Sequence, residues 1–255
     1  MNPINLMIIM HSIEVNKAII RDFYRRAIAS GDLDYADQII ADDYIQHSAT
    51  VKPGKAGLLD ALRYISQMPK PATSAKPFMR LIAEGDYVVT NLRFAVGGQP
   101  KAVVDLFRLH NGQVVEHWDA VENQPESTLN GNPMMDGAVE IEDVALTGEN
   151  KKIAGEFFQR VLVNRELVLL PEYVVSDLVQ HQPDIANGRA GLEQYVQQNA
   201  DLLVFQKIHR IIGEGNFVVI QSEGQLDQKP YVFYHVFRLH ERKIVEQWAV
   251  KQQIP

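Results

Sequence analysis

The chain repeats itself, and this internal repeat constrains the fold more than any other feature of the sequence. Residues 16–58 align without a gap with residues 150–192, and 13 of the 43 aligned positions are identical. Residues 81–125 align in the same way with residues 211–255, with 14 identities in 45 positions. Two gapless blocks in the same order indicate that one domain has been duplicated.

The duplication sets the expected domain boundaries. We predict copy one over residues 1–130, a linker over residues 131–149 and copy two over residues 150–255. The sequence between the copies is rich in Gly, Asn and acidic residues, and a short strand is expected in it at Ala138–Ile141. With 255 residues, of which 46% are hydrophobic, each half is long enough to bury its own core.

The hydrophobic pattern predicts an α+β fold, with two tandem cone-shaped domains that each pack three helices on a curved antiparallel sheet. In copy one, helices are expected at 16–30, 33–40 and 55–65, an extended segment at 42–47, and strands near 79–84, 87–96, 101–109 and 114–121. In copy two, helices are expected at 150–163, 166–175 and 189–199, and strands near 207–213, 217–225, 230–239 and 244–251. The dipeptide Asn111-Gly112 between two alternating runs predicts a tight hairpin.

Composition excludes several classes of function. The net charge is −7 and the basic residues are scattered, which argues against a nucleic-acid partner or an anionic membrane. The chain has no cysteine, so disulfides and thiolate chemistry are excluded and a cytoplasmic location is expected. The apolar start, Met1–Met10, lacks the basic residues of a signal peptide, and we expect a tail or an edge strand there. No apolar run reaches the roughly 18 residues that a membrane span needs.

The motifs "YIQH", "DLFRLHNGQVVEHWD" and "NQPESTLNGNPM" resemble the SnoaL-like branch of the nuclear-transport-factor-2-like fold. This branch includes polyketide cyclases that catalyse an aldol condensation without a cofactor. In those cyclases, a carboxylate on the last strand acts beside a histidine on the preceding strand. Asp119 matches the carboxylate, but Asp105 stands at the position of the histidine. Copy two has His235 and Ala249 at these positions, so each copy keeps one half of the pair.

Asp119 and Asp105 are the first candidates for acid/base catalysis, together with His47. Asp119 has apolar neighbours, and burial would raise its pKa and suit it to proton abstraction next to a carbonyl, unless it points to solvent at the strand end. Asp105 lies in an otherwise apolar strand, where a charge is costly without a partner. A two-residue Asn-Gly loop would set Asp105 opposite Trp118. A bulged three-residue loop would set it on the face of Asp119 and His117, as the resemblance favours.

Four further residues join His47 as candidates whose role the sequence leaves open. His47 has a counterpart in His181, and it is expected either in the pocket or in a structural hydrogen bond. His117 shares the strand face of Asp119. It and Tyr24 are candidates for ligand binding, although Tyr24 also fits a core role. The list of possible ligand contacts is completed by Phe107 and Trp118, which occur in both copies and equally fit the core. The repeated Arg and Glu pairs at 108/116 and 238/246 predict cross-strand ion pairs on an outer face.

The sequence thus predicts a cofactor-free acid/base enzyme, such as an aldol-type cyclase, isomerase or hydrolase, acting on a small apolar carbonyl compound. No metal site is expected, because no metal-binding spacing of histidines occurs. The alternatives are a non-catalytic small-molecule-binding module and a purely structural pair of domains. The two copies are expected to pack sheet against sheet as an intramolecular pseudo-dimer, with ligand bound by copy one only.

Overall fold

The computed structural model describes residues 3–68, 79–96 and 99–254, and copy one forms an α+β unit within them. Its first helix, α1 (Pro3–Asp22), continues into a π-helical segment (Phe23–Ile28). The remaining elements are α2 (Leu33–Ile39), β1 (Ile40–Gln46), α3 (Gly54–Ser66), β2 (Met79–Glu84), β3 (Tyr87–Val96), β4 (Gln99–His110) and β5 (Gln113–Asn123). The Pro-rich segment expected as a loop at 67–77 lies largely outside the described residues.

Copy two repeats this order. A short 3₁₀ turn (Val144–Leu146) precedes α4 (Thr147–Phe157), which again continues into a π-helical segment (Phe158–Val163). The remaining elements are a 3₁₀ turn (Leu167–Leu169), α5 (Leu170–Tyr173), β6 (Val174–Gln180), α6 (Arg189–Gln198), β7 (Leu203–Glu214), β8 (Phe217–Leu226), β9 (Lys229–His240) and β10 (Lys243–Gln253). Among the described residues, no helix is both long enough and apolar enough to cross a membrane.

Each copy contains one five-stranded sheet with the same topology. The strand order is β1-β5-β4-β3-β2 in copy one and β6-β10-β9-β8-β7 in copy two. Strands β2 to β5 form an antiparallel meander, while β1 lies parallel to β5 at the edge. We call the sheet face that carries the helices the inner face and the opposite face the outer face. The predicted α+β class and its helices on a curved sheet are confirmed.

The outer faces of the two sheets pack on each other. Trp118 and Leu106 of copy one share one apolar cluster with Trp248, Val236 and Phe217 of copy two. Reciprocal ion pairs frame this interface: Lys17 pairs with Glu214, and Lys151 lies 2.6 Å from Glu84. Each glutamate also accepts a backbone N–H from the opposite copy. The expected sheet-against-sheet packing of the two copies is therefore present.

The sequence between the copies is not a free tether. It has no regular secondary structure over residues 124–143, so the strand expected at Ala138–Ile141 is absent. Instead, Met134 and Met135 are fully buried in the interface cluster, and Arg80 donates hydrogen bonds to the carbonyls of Asp136 and Ala138. Side chains donate hydrogen bonds to the backbone carbonyls of this segment, so these carbonyls are not available for pairing with a neighbouring strand.

Two further predictions about local structure were wrong. The start of the chain, expected as a tail or an edge strand, is helical from Pro3 onward, because no Gly or Pro after it interrupts the helix that leads into Asn16. The helix expected at 166–175 is only one α-helical turn, since β6 already begins at Val174. The predicted meander of four strands gains a fifth strand, because the extended segment at 42–47 pairs with β5.

Candidate active site

The register of β4 against β5 brings the two predicted carboxylates together. Asn111 and Gly112 both have positive φ angles, of 51° and 79°, as a two-residue hairpin turn of type I′ requires. A bulge after Arg108 then shifts the pairing by one residue, so that Asp105 lies directly opposite Asp119. The inner-face arrangement favoured by the resemblance is therefore present, although the extra residue lies in the strand rather than in the loop.

Asp105 is the centre of a hydrogen-bonded chain on the inner face. Its Oδ1 lies 3.0 Å from Nε2 of His117, and its Oδ2 accepts a hydrogen bond from the hydroxyl of Tyr24. The Tyr24 hydroxyl also lies 2.8 Å from the hydroxyl of Thr90, which donates to Asp105 at 3.4 Å. We call Tyr24, Thr90, Asp105, His117 and Asp119 the carboxylate cluster.

His117 is a buried imidazole held on both sides. Its Nδ1 lies 2.9 Å from the side-chain oxygen of Gln46, and its side chain stacks on Phe107 with ring centroids 4.6 Å apart. Burial lowers the pKa of His117, but the hydrogen bond and the charge of Asp105 outweigh burial, and the net pKa is raised. Because both ring nitrogens have partners, His117 orients Asp105 and supplies positive charge rather than a free proton donor.

Asp119 differs from Asp105 because it has a free oxygen. Its Oδ2 accepts a hydrogen bond of 2.8 Å from the hydroxyl of Ser48, whereas Oδ1 is buried and has no hydrogen-bond partner among the described residues. Burial raises the pKa of Asp119, His117 lowers it and the charge of Asp105 raises it, so that the net pKa is raised. A carboxylate with a raised pKa and an uncommitted oxygen is suited to take or give a proton.

Tyr44 is a site residue that sequence reasoning missed. It lies on β1, is 3% exposed, and its hydroxyl has no partner among the described residues. Burial raises its pKa, and the charges of Asp119 and Asp105 raise it further, so the hydroxyl keeps its proton. One signal could have found Tyr44: it shares strand parity with Gln46, and copy two has Leu178 at its position.

His47 and Trp118 do not join the carboxylate cluster. His47 lies on the outer side of the sheet, where Nε2 is 2.8 Å from Glu116 and the ring stacks on Trp118 at 4.7 Å. Glu116 also forms the predicted ion pair with Arg108, at 2.7 Å. His47 thus has a hydrogen bond to a side chain outside the carboxylate cluster, and its catalytic role stays a prediction. Of the predicted ligand contacts, Phe107 is 2% exposed and packs against Phe23 in the inner core.

Three members of the cluster are close enough to share a metal ion, which the sequence did not lead us to expect. One ligand atom each from Asp105, His117 and Asp119 lies within 4.8 Å of the others. Two carboxylates and an imidazole form a suitable donor set for a divalent transition metal. Such an ion would replace the hydrogen bond between His117 and Asp105.

A cleft of about 580 Å³ between the two copies reaches Asp119. Its walls include Ser48 and Trp118 of copy one and Arg210 and Tyr234 of copy two. The volume falls within the range of small-molecule sites, roughly 300–1,000 Å³. We call it the Trp118 cleft. It gives the buried carboxylate cluster a connection to solvent at Asp119.

Copy two lacks the two inner-face carboxylates of copy one. His235 lies opposite Ala249, and burial lowers the pKa of His235 to about 3. A cavity of about 20 Å³ beside it, lined by Phe205 and Phe233 among others, has room for about one water molecule. The positions of Tyr24, Tyr44, Thr90 and Asp119 are occupied in copy two by Phe158, Leu178, Ile220 and Ala249.

Known proteins resemble this chain in its first half. The family model of the SnoaL-like domain matches residues 20–117. No curated protein matches the chain in sequence. An NTF-2 like protein of unknown function from Burkholderia xenovorans LB400 is 23% identical over 45% of this chain and 88% of its own, with a TM-score of 0.38. A SnoaL-like polyketide cyclase from Agrobacterium tumefaciens str. C58 is 12% identical over 40% of this chain and 91% of its own, with a TM-score of 0.35.

The family match covers β1 to β4 and the start of β5, and the second sheet repeats the same strand order. The family model of the SnoaL-like domain thus matches most of copy one, and the chain carries the same α+β fold in two tandem copies.

Proposed function

We propose that copy one is a cofactor-free acid/base catalyst that acts on a small apolar carbonyl compound, with Asp119 as the proton acceptor. The observation that carries the proposal is the free, buried Oδ1 of Asp119 beside the Trp118 cleft. Burial and the neighbouring Asp105 raise the pKa of Asp119. A base of raised pKa removes a proton next to a carbonyl more effectively at neutral pH than an ordinary aspartate.

The buried Tyr44 hydroxyl supplies the second half of the chemistry. When a proton leaves the carbon next to a carbonyl, negative charge develops on the carbonyl oxygen, and a fixed donor there lowers the barrier. Tyr44 remains protonated, and its hydroxyl has no partner among the described residues that would have to be displaced. In this proposal, Asp119 accepts the proton, Tyr44 donates to the enolate oxygen, and Asp119 returns the proton to another carbon.

The hydrogen-bonded chain of Tyr24, Asp105 and His117 positions the base. Its negative Asp105 keeps the pKa of Asp119 raised, while His117 limits the repulsion between the two carboxylates. This balance explains the departure from the family pattern: Asp105 stands at the position of the family's histidine, and His117 supplies an imidazole from β5 instead. Phe107 packs against His117 and limits its rotation.

The test is proton exchange at the α-carbon of a panel of small ketones and esters, followed by NMR in D₂O. Asp119→Asn keeps the size of the side chain but cannot accept the proton, and exchange should fall by about 10²–10⁴-fold. Tyr44→Phe should lower exchange by about 10²-fold, by analogy with the loss of an oxyanion donor. The matched control is Tyr64→Phe, which removes a hydroxyl from a residue that is 65% exposed.

Stability separates this proposal from a structural role for Asp119. The native pKa is raised, so the native state binds its proton more tightly than the unfolded chain, and stability is lost as pH rises toward the native pKa. Asp119→Asn removes this loss and should not lower the melting temperature at pH 7. Full exchange activity in Asp119→Asn, or an inert wild type across the panel, would refute the catalytic role. Loss of activity with a chelator would assign the cluster to a metal ion instead.

Three further proposals concern the chain as a whole. We propose the division into residues 1–130, 131–149 and 150–255, a small apolar carbonyl ligand in copy one only, and a cytoplasmic location. These proposals rest on the repeat, on the loss of the carboxylate from copy two and on the absence of cysteine. Calorimetric titration with a compound active in the exchange assay should give one site per chain.

A further inference from the structure

The two copies are related by an approximate two-fold symmetry, and the segment between them occupies only one of two equivalent places. On copy two, residues 129–138 lie across His181 and Trp248. The equivalent place on copy one, across His47 and Trp118, is the Trp118 cleft. We call the covered surface of copy two the linker seat.

Side chains of the linker seat hold the backbone carbonyls of the linker. His181 Nδ1 lies 2.7 Å from the carbonyl of Pro133, and Trp248 Nε1 donates to the carbonyl of Asp136 at 2.8 Å. Arg80 donates to the carbonyl of Ala138 at 2.8 Å and stacks on Trp248 at 3.7 Å. A peptide without regular secondary structure is thus bound through its main chain by three side-chain donors.

The same three donors are present in the Trp118 cleft at the repeated positions. His47, Trp118 and Arg210 correspond to His181, Trp248 and Arg80. The local geometry is also repeated, because Arg210 stacks on Trp118 at 3.9 Å and His47 stacks on the same ring. Arg210 Nη1 donates to Gln221, as Arg80 Nη1 donates to Asn91 at the equivalent position.

These donors have no acceptor in the Trp118 cleft. Among the described residues, Trp118 Nε1, His47 Nδ1 and Arg210 Nε make no hydrogen bond, although each counterpart nitrogen holds a linker carbonyl. Exposure differs in the same sense: His47 is exposed and His181 is 3% exposed, while Trp118 is 9% exposed and Trp248 is fully buried.

The walls of the two places correspond as well as the donors do. The loop after β6 binds the linker through the carbonyls of Gln182, Pro183 and Ile185. Their counterparts Ser48, Ala49 and Val51 line the cleft. One position carries the opposite charge in the two places. Arg93 donates to the carbonyl of Met135 in the linker seat, whereas the corresponding residue in the Trp118 cleft is Glu223. This difference disfavours a peptide with negative charge at that point.

From this correspondence we infer that the Trp118 cleft is a peptide-binding site. Its ligand is an irregular, glycine-containing segment of a partner protein, bound through main-chain carbonyls by His47, Trp118 and Arg210. A glycine is required where the peptide passes Glu116, because a Cβ on Gly137 would lie 2.2 Å from the equivalent Glu246. None of the three donors belongs to the carboxylate cluster, but the peptide would occupy the cleft through which Asp119 is reached and would therefore close that route.

The test is isothermal titration of the full-length protein with a capped peptide of residues 129–140 that carries Asp136→Asn. This change removes a negative charge next to Met135, whose carbonyl Arg93 holds in the linker seat, and keeps the side-chain oxygen that accepts from the N–H of Gly137. The linker seat cannot take the peptide, because its own covalently attached segment competes at a high effective concentration. We expect saturable binding of one peptide per chain.

Two protein variants and one peptide variant make the test specific. Arg210→Ala should weaken binding by about tenfold or more, because a charged donor is lost, and Trp118→Phe should weaken it severalfold while keeping the ring stack. Arg242→Ala, at the far end of β10 on a residue whose side chain is 72% exposed, is the control and should bind as the wild type does. The same peptide with Gly137→Ala should lose at least tenfold in affinity. Absence of saturable binding, or equal affinity of Arg210→Ala and wild type, would overturn the inference.

Discussion

Gly137 is a point of close contact between the linker and copy two, and it offers a clear test of how firmly the linker is seated. Its φ angle is +91°, which disfavours any residue with a Cβ. A Cβ built there would lie 2.2 Å from Oε1 of Glu246, 2.9 Å from Cζ2 of Trp248 and 3.0 Å from Nε2 of His181. All three neighbours are themselves fixed, because Glu246 also pairs with Arg238 at 2.7 Å.

Gly137→Ala should lower the free energy of unfolding by about 3 kcal/mol. The backbone conformation costs a residue with a Cβ about 1–2 kcal/mol, and the steric overlap in a packed site adds about 1–3 kcal/mol. The reduced entropy of the unfolded chain offsets about 0.4–1 kcal/mol of this loss. Gly131→Ala is the matched control, since Gly131 has a φ angle of +77° and no atom lies within 4 Å of the position that its Cβ would take. It should lose only about 1 kcal/mol, for the backbone alone.

The assay is urea unfolding followed by tryptophan fluorescence and circular dichroism on the wild type and the two glycine variants. Coincident transitions by both probes would establish that the two copies unfold together, which a comparison of free energies requires. If Gly137→Ala and Gly131→Ala lose the same stability, the close approach of the linker to Glu246 and Trp248 is refuted. The seat would then be loose enough to admit a methyl group.

Two further predictions concern histidines. His181→Ala should lower the free energy of unfolding by about 2–3 kcal/mol, because it removes the buried hydrogen bonds of His181 to Glu246 and to the carbonyl of Pro133. By contrast, His47→Ala should lose under about 1 kcal/mol at its exposed site. Equal losses in urea unfolding would contradict the difference in burial. His235 has a native pKa of about 3, below its ordinary value, so stability falls as pH drops below about 6.5, by about 2 kcal/mol between pH 7 and pH 5. His235→Leu should reduce that drop by about 2 kcal/mol, and an unchanged drop would show that His235 takes up its proton normally in the native state.

The architecture could largely be predicted because its signals are local. The repeat fixed the number of copies, and the alternation of apolar residues with the Asn111-Gly112 turn fixed the order of the antiparallel strands. The pairing of Asp105 with Asp119 could be stated only as one of two alternatives. The bulge that decides between them lies next to Arg108, where nothing in the composition marks it.

The parts that could not be predicted depend on contacts that are distant in the sequence. Strand β1 pairs in parallel with β5, and a parallel pair has no connecting turn to announce it. This pairing carries Tyr44 and Gln46 to the carboxylate cluster and leaves His47 on the opposite side. The sequence groups His47 with Asp119 because the histidine is repeated in both copies. The structure gives another reason for this repetition: His47 contacts Glu116, and its counterpart His181 contacts Glu246 in the same way.

The two copies differ in the free energy that it costs to bury their inner-face side chains. The inner face of copy one keeps Asp119 and Tyr44, which cost free energy to bury because Asp119 Oδ1 and the Tyr44 hydroxyl have no hydrogen-bond partner among the described residues. Copy two keeps no carboxylate opposite His235, since Ala249 replaces it, and it packs that space with aromatic side chains. Because the outer faces share one apolar cluster, stability gained in copy two is shared with copy one. In a duplicated chain, one half can thus retain a destabilising polar site while the other half stabilises the pair. A single copy would have to provide both the site and the stability.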